Sequence, residues 1–199
     1  MQTPGLSCRL FLASALLLGA GASNAHAQTP VDNTDHQLRV SALAGTQVQG
    51  RRAIVMAKGI PADAFTYTPG NGGRTIANLF LHLAFSLWTR PAQFGAAPPA
   101  GFDMTQKADA YENSTTDKAK VVEQLTAAVA YAESALRSLP DANLQNHIKA
   151  NGRDNLAVAV LAAWVADNSE HVGQLMVYSR LHGFAPPTPG QVATPQDGQ

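Results

Sequence analysis

The chain predicts an all-α fold, a four-helix bundle with long connecting loops, on three observations. Four stretches rich in helix formers are separated by clusters of Pro, Gly and Asn. Within them, apolar residues recur at steps of three and four. Runs of alternating β-branched residues are scarce, which makes a sheet protein improbable. Four helices with one apolar face each bury those faces most simply against one another.

The first element is a leader and stands outside the fold. Arg9 precedes the apolar run Leu10 to Gly21, and Ala25-His26-Ala27 makes a small-x-small cleavage site before Gln28. The run is too short to cross a hydrocarbon core as a helix. The expectation is a signal peptide over residues 1–27, cleaved after Ala27, with export to the periplasm and no stable membrane insertion afterwards. Cleavage leaves 172 of the 199 residues, enough for one sizeable core. Cys8, the single cysteine, departs with the leader, so neither a disulfide nor a thiolate ligand is available to the mature chain. Removing Arg9 from the 14 basic residues leaves 13 against 14 acidic ones, a formal charge of −1. No basic tract offers a footprint for a phosphate backbone, which argues against nucleic acid as a partner.

The helical domain is expected over residues 28–187. Its first helix covers 35–59, with Leu38, Leu43, Val48, Ile54 and Val55 as its larger apolar residues in a moderate rhythm. Gly50 inside it is tolerated at some cost. Gly59-Ile60-Pro61 ends it, and a second break follows at Thr68 to Gly73. Helix two begins near Arg74 or Thr75 and stops before Pro91. Ile76, Leu79, His82, Leu83 and Ser86 share one stripe of it. Residues 91–113 form a long connection, whose Phe94 and Phe102 are available to tuck it against the body and cover one end of a pocket.

Helix three follows a Ser114/Thr115/Thr116 cap and runs to about Leu139. Val121, Val122, Leu125, Val129, Ala132 and Leu136 are its buried side. Helix four is capped by Asp154 or Asn155, carries Leu156, Val160, Trp164, Val165, Leu175 and Tyr178, and closes at Gly183. The polar tail 188–199 is expected to be disordered.

On helix four, Asp167 and His171 are four apart and share a face with Val160, Trp164 and Tyr178. A carboxylate and an imidazole directed into a core are costly unless paired. A divalent metal resolves that cost, the ring giving nitrogen and the acid oxygen. His82, on the inward stripe of helix two, is the natural third ligand. Two His and one Asp leave coordination positions for water, as in catalytic sites. A plain reading stands beside this one. An Asp/His pair at i, i+4 is also a simple charge-assisted hydrogen bond, with Arg180 or Lys149 as candidate helpers, and a lone His82 is ordinary in a core. Glu170 is read as solvated, Tyr178 as packing that could also hydrogen-bond into the pocket. His36, His147 and His182 carry no site claim.

Leu79-Phe80-Leu81-His82-Leu83-Ala84, the run Glu170 to Pro187, and the Pro69 to Ala77 approach to helix two resemble the DinB-like (DinB/YfiT) superfamily of metal-dependent proteins. The resemblance spans residues 35–187. It implies a four-helix bundle with long connections, often dimeric, and a divalent metal, commonly nickel or zinc, held by three histidines near one end. His82 matches the first of these and His171 the last. The middle ligand is typically histidine, and this chain has Asp167 there, a departure that alters affinity and metal preference or abolishes binding. Some relatives use low-molecular-weight thiols, which are kept mainly in the cytosol; expected export argues against that chemistry here. The functional expectation is an exported metal-dependent hydrolase or transferase with a small-molecule substrate. A divalent ion (zinc or nickel, with iron, manganese or cobalt also accepted) would activate water or a substrate heteroatom. The alternative is a non-catalytic bundle that binds a metal or a small ligand.

Overall fold

The structure, a computed structural model, describes residues 34–192; the expected leader and cleavage site and residues 193–199 lie outside them. Four long helices make the body: α1 Thr34–Gly59, α2 Ile76–Gln93, α4 Lys118–Ser138 and α5 Ala157–Leu181. Short elements fill the connections: helix α3 Ala108–Glu112, strands β1 His147–Ala150 and β2 Arg153–Leu156, and helix α6 Pro189–Val192. The all-α expectation therefore holds, with a two-stranded antiparallel hairpin added.

Both α1 and α2 pack against α4 and α5, which gives the cyclic order α1–α4–α2–α5. Consecutive helices α1 and α2 thus sit on a diagonal, as do α4 and α5. A diagonal step cannot be made by the tight turn that joins antiparallel neighbours, which accounts for the lengths of the α1–α2 and α4–α5 connections; the α2–α4 connection joins neighbours and is long because it carries α3. The core they enclose includes Met56, Ile60, Phe65, Phe80, Leu83, Leu125, Leu136 and Leu144, all nearly free of solvent contact.

Several local expectations are corrected. On α1 the buried stripe is made of small residues, Ala42, Thr46, Gly50, Ala53 and Ala57, with Met56, whereas Leu38 and Val55 face solvent. Small residues let the helix axes approach closely. A Cβ at Gly50 would stand 2.8 Å from a Val129 methyl on α4. Helix α2 starts at an N-cap Thr75, whose Oγ1 accepts from Asn78 N at 3.0 Å. It does not stop before Pro91 but runs through it to Gln93. Proline's fixed φ suits a helix, and here it forfeits one bond near the end instead of in mid-helix. Asp117, not the Ser114–Thr116 group, caps α4, accepting from Lys120 N at 2.9 Å. Asp154 and Asn155 do not cap α5; they belong to β2. The first-turn N–H of Ala157 instead donates to Asn146 O at 2.8 Å. The hairpin turns on Asn151 and Gly152, with φ of 51° and 74°. An Asn-Gly pair at positive φ is the residue choice for a two-residue turn of this hand. Beyond residue 187, α6 packs on α1 and buries Val192, and residues 193–199 of the tail expected to be disordered lie outside the described residues.

Candidate metal centre

The site is built where α2 and α5 face each other. His82 lies in the middle of α2 among Leu79, Leu81 and Leu83, which are buried around it. On α5 the buried stripe is Ala157, Leu161, Trp164, Asn168, His171, Val172, Leu175 and Ser179. His171 is therefore an inward residue, only 7% exposed. Asp167, one turn earlier, sits at the edge of the same face with its side chain 48% exposed. One ligand atom from each of His82, Asp167 and His171 can be chosen so that all lie within 4.8 Å of one another. The two imidazoles meet edge to face, with ring centres 4.5 Å apart at 87°.

Neither ring nitrogen of His171 has a hydrogen-bond partner of good geometry. Its nearest charged neighbour is Asp167 Oδ1, 3.5 Å from Nε2, too long for a strong charge-assisted bond. Two unpaired nitrogens on a buried ring are costly. Burial, followed by the nearby His82, pushes the His171 pKa below its usual value, while Asp167 and Gln174 pull weakly the other way. The ring is thus biased toward the neutral form, the one that coordinates metals. The plain reading of the Asp167/His171 pair also loses its helpers. Arg180 turns back to Met176 O on its own helix, and Lys149 sits in the exposed hairpin strand β1.

Around the trio is a supporting shell that sequence reasoning missed. Glu112, from α3 and buried, accepts from His82 Nδ1 at 2.5 Å and from Arg74 Nε at 3.0 Å. Because a carboxylate only accepts, Nδ1 is the protonated nitrogen, and the neutral ring keeps the lone pair on Nε2. That is the arrangement by which a second carboxylate orients a metal-binding histidine. Asn78 fixes α3 in turn, its Nδ2 donating to Glu112 O at 2.6 Å. On the other side, Trp164 Nε1 donates to Ser86 Oγ at 2.9 Å, and Ser86 Oγ donates to Asn168 Oδ1 at 3.3 Å. This buried chain ties α2 to α5 beside the trio.

The connection between α2 and α4 folds back as expected. Phe94 lies 6.0 Å from Trp164 between ring centres, and Phe102 stacks on Trp88 at 5.2 Å. Met104 and Ala108 from this connection join His82, Phe85, Ser86 and Asp167 in lining a solvent-open cleft of about 570 Å³. Tyr178 does not enter the site; its ring packs edge-on against Tyr67 at 5.8 Å. Glu170 is exposed. His36 pairs with Asp141, His147 with Asp154, and His182 with the Tyr67 ring, all away from the trio.

Fold and site together define a helical-bundle protein with a two-histidine, one-carboxylate centre able to hold a divalent ion. The orphaned nitrogens of His171 and the hard-and-borderline donor set fit such an ion. The chain belongs to the DinB superfamily, whose family model matches residues 46–175. No curated protein matches it at the sequence level. Among solved structures it resembles a DinB-like protein from Bacillus cereus, with 16% identity, a TM-score of 0.58, and coverage of 70% of this chain and 89% of that one. It also resembles YfiT from Bacillus subtilis, at 15% identity and a TM-score of 0.56, covering 79% of this chain and 93% of YfiT. YfiT is described as "a probable metal-dependent hydrolase with an unusual four-helix bundle topology". A third neighbour is a mycothiol-dependent maleylpyruvate isomerase, with 17% identity, a TM-score of 0.54, and coverage of 71% and 62%. At these identities the likeness concerns the fold.

Proposed function

We propose that this protein is an exported metal-dependent hydrolase or group transferase acting on a small molecule, with His82, Asp167 and His171 holding the ion. The observation that carries the reading is the buried His171 ring, without a hydrogen-bond partner of good geometry, set against a second imidazole and a carboxylate. A divalent ion there, zinc or nickel by donor type, would supply Lewis acidity, lowering the pKa of a water or a substrate heteroatom toward neutrality. The chain's own residues do the rest. Glu112 holds His82 in one tautomer, Arg74 holds Glu112, and the 570 Å³ cleft lets a small molecule approach His82 and Asp167. That open approach favours turnover over a closed structural site. Export, expected from the leader, would put the protein away from the cytosolic thiol pool, which supports hydrolysis ahead of thiol transfer.

The test is metal analysis of untagged protein purified without added metal, run beside turnover assays on ester, amide and thioether libraries. About one divalent ion per chain is expected in the wild type and under a tenth of that in His171→Ala. Any turnover found should vanish in His82→Ala. A metal-free wild type that also binds no added zinc or nickel overturns the proposal.

A further inference from the structure

Two clefts flank the metal trio, and they share two residues. The first, of about 570 Å³, is lined by His82, Asp167 and Arg90. The second, of about 520 Å³, is lined by Asp167, Arg90 and Arg153. Arg90 comes from the last turn of α2, and Arg153 opens strand β2, directly after the Asn151-Gly152 turn. The hairpin therefore brings a second guanidinium to a wall that already contains one.

Among the described residues neither cation is in a salt bridge, although Asp167 shares the lining of both clefts. Arg90 Nη1 donates to the neutral Oε1 of Gln93 at 3.3 Å. Arg39 and Arg74, by contrast, each grip an acid, Asp141 and Glu112. A guanidinium remains charged at any physiological pH, and its planar fork matches the two oxygens of a carboxylate or phosphate. The surrounding wall includes Val160 and Trp164 in one cleft and Phe85 and Met104 in the other.

We infer that Arg90 and Arg153 form an oxyanion-recognition subsite for a small amphiphilic substrate, whose carboxylate or phosphate they bind while its apolar body leads toward the trio. Arg90 is eight residues beyond His82, about 12 Å along the helix axis. A ligand touching both ends therefore spans several bonds between its anionic group and its reacting centre. The inference rests on the proposed metal chemistry only for what happens at the far end; the anion subsite needs no metal to be occupied.

Full-length wild type, Arg90→Ala, Arg153→Ala and the double variant are titrated calorimetrically with 3-phenylpropionate, phenyl phosphate and the neutral 3-phenylpropionamide, with metal content measured on each sample. One of the two anions should bind the wild type at least tenfold more tightly than the amide, and the tighter anion identifies the headgroup. That preference should disappear in the double variant while its melting temperature and metal content remain those of the wild type. Arg90→Lys, which keeps the charge and loses the fork, should recover part of it. Equal binding of anion and amide, no anion binding by the wild type, or an unchanged preference in the double variant overturns the inference. Failure of the metal reading would appear separately, as absent metal in every sample with the arginine effect intact.

Discussion

At the scale of single residues, Glu112 decides how well the site is organised. It is buried, and it is shared between His82 and Arg74. Glu112→Gln keeps the volume but removes the charge that favours Nδ1 protonation, so metal affinity should fall about 10–100-fold with the fold intact. A competitive chelator titration reads this directly; unchanged affinity would mean Glu112 only packs. Tyr111, next to it in sequence, gives a pH signal. Burial raises its phenol to about 12, with the Trp88 indole opposing weakly. An unfolded tyrosine ionises near pH 10, so this contribution to stability is complete below that pH and is lost as pH rises from about 10 to about 12. Burial also raises Tyr131 and Tyr178, so absorbance titration at the tyrosinate band should show several tyrosines titrating late, the latest of them missing in Tyr111→Phe. The trio itself was readable from sequence because i, i+4 spacing and the stripe of α2 are local signals. Glu112 and Arg74 were not, since a five-residue helix inside a long connection has no periodicity, and only the folded chain brings residue 112 to residue 82. A metal histidine's need for a second acceptor was the one available pointer, and the connection holds several acids.

At the scale of elements, the helices were visible and their inner faces were not always. Helix α1 shows why. Its large apolar residues suggested one stripe, while its close approach to α4 requires another, made of small side chains. Gly50 is the sharpest case. Helix propensity alone says that Gly→Ala at an interior position gains about 1 kcal/mol. The new methyl would, however, meet Val129 at 2.8 and 2.9 Å, and a β-branched residue has little rotamer freedom with which to yield. Overpacking of this kind typically costs about 1–3 kcal/mol. Gly50→Ala should therefore destabilise the protein in denaturant unfolding, and Gly50→Ala with Val129→Ala should recover part of the loss. A Gly50→Ala variant as stable as the wild type or more so would show the helices can separate freely. The hairpin was missed for a different reason. His147–Leu156 lacks the β-branched alternation of a strand pair, yet Asn151-Gly152 carried the turn signal. Once that turn forms, Asp154 and Asn155 are held in β2, which is why they cannot cap α5.

At the scale of the whole molecule, the proposed ion links two helices that approach each other mainly through buried contacts. α2 and α5 meet at the Trp164–Ser86–Asn168 chain and at the imidazole pair. Without an ion, His171 retains two unsatisfied nitrogens and His82 faces it across 4.5 Å between ring centres. A ligand bound only by the native state stabilises it by about 2.7 kcal/mol at a free concentration 100 times Kd. For a domain of this size each kcal/mol moves Tm by about 2–4 °C, so loading should raise Tm by about 5–11 °C. Chelation should lower the wild-type Tm by that amount, and zinc or nickel should restore it. His82→Ala should show a smaller response than the wild type, because it leaves a two-ligand site on a single helix. A drop of equal size in both proteins would mean that the chelator acts on metal bound elsewhere and that α2 takes no part. No drop in either would leave the two rings as a buried aromatic contact, and the bundle would then owe nothing to a cation.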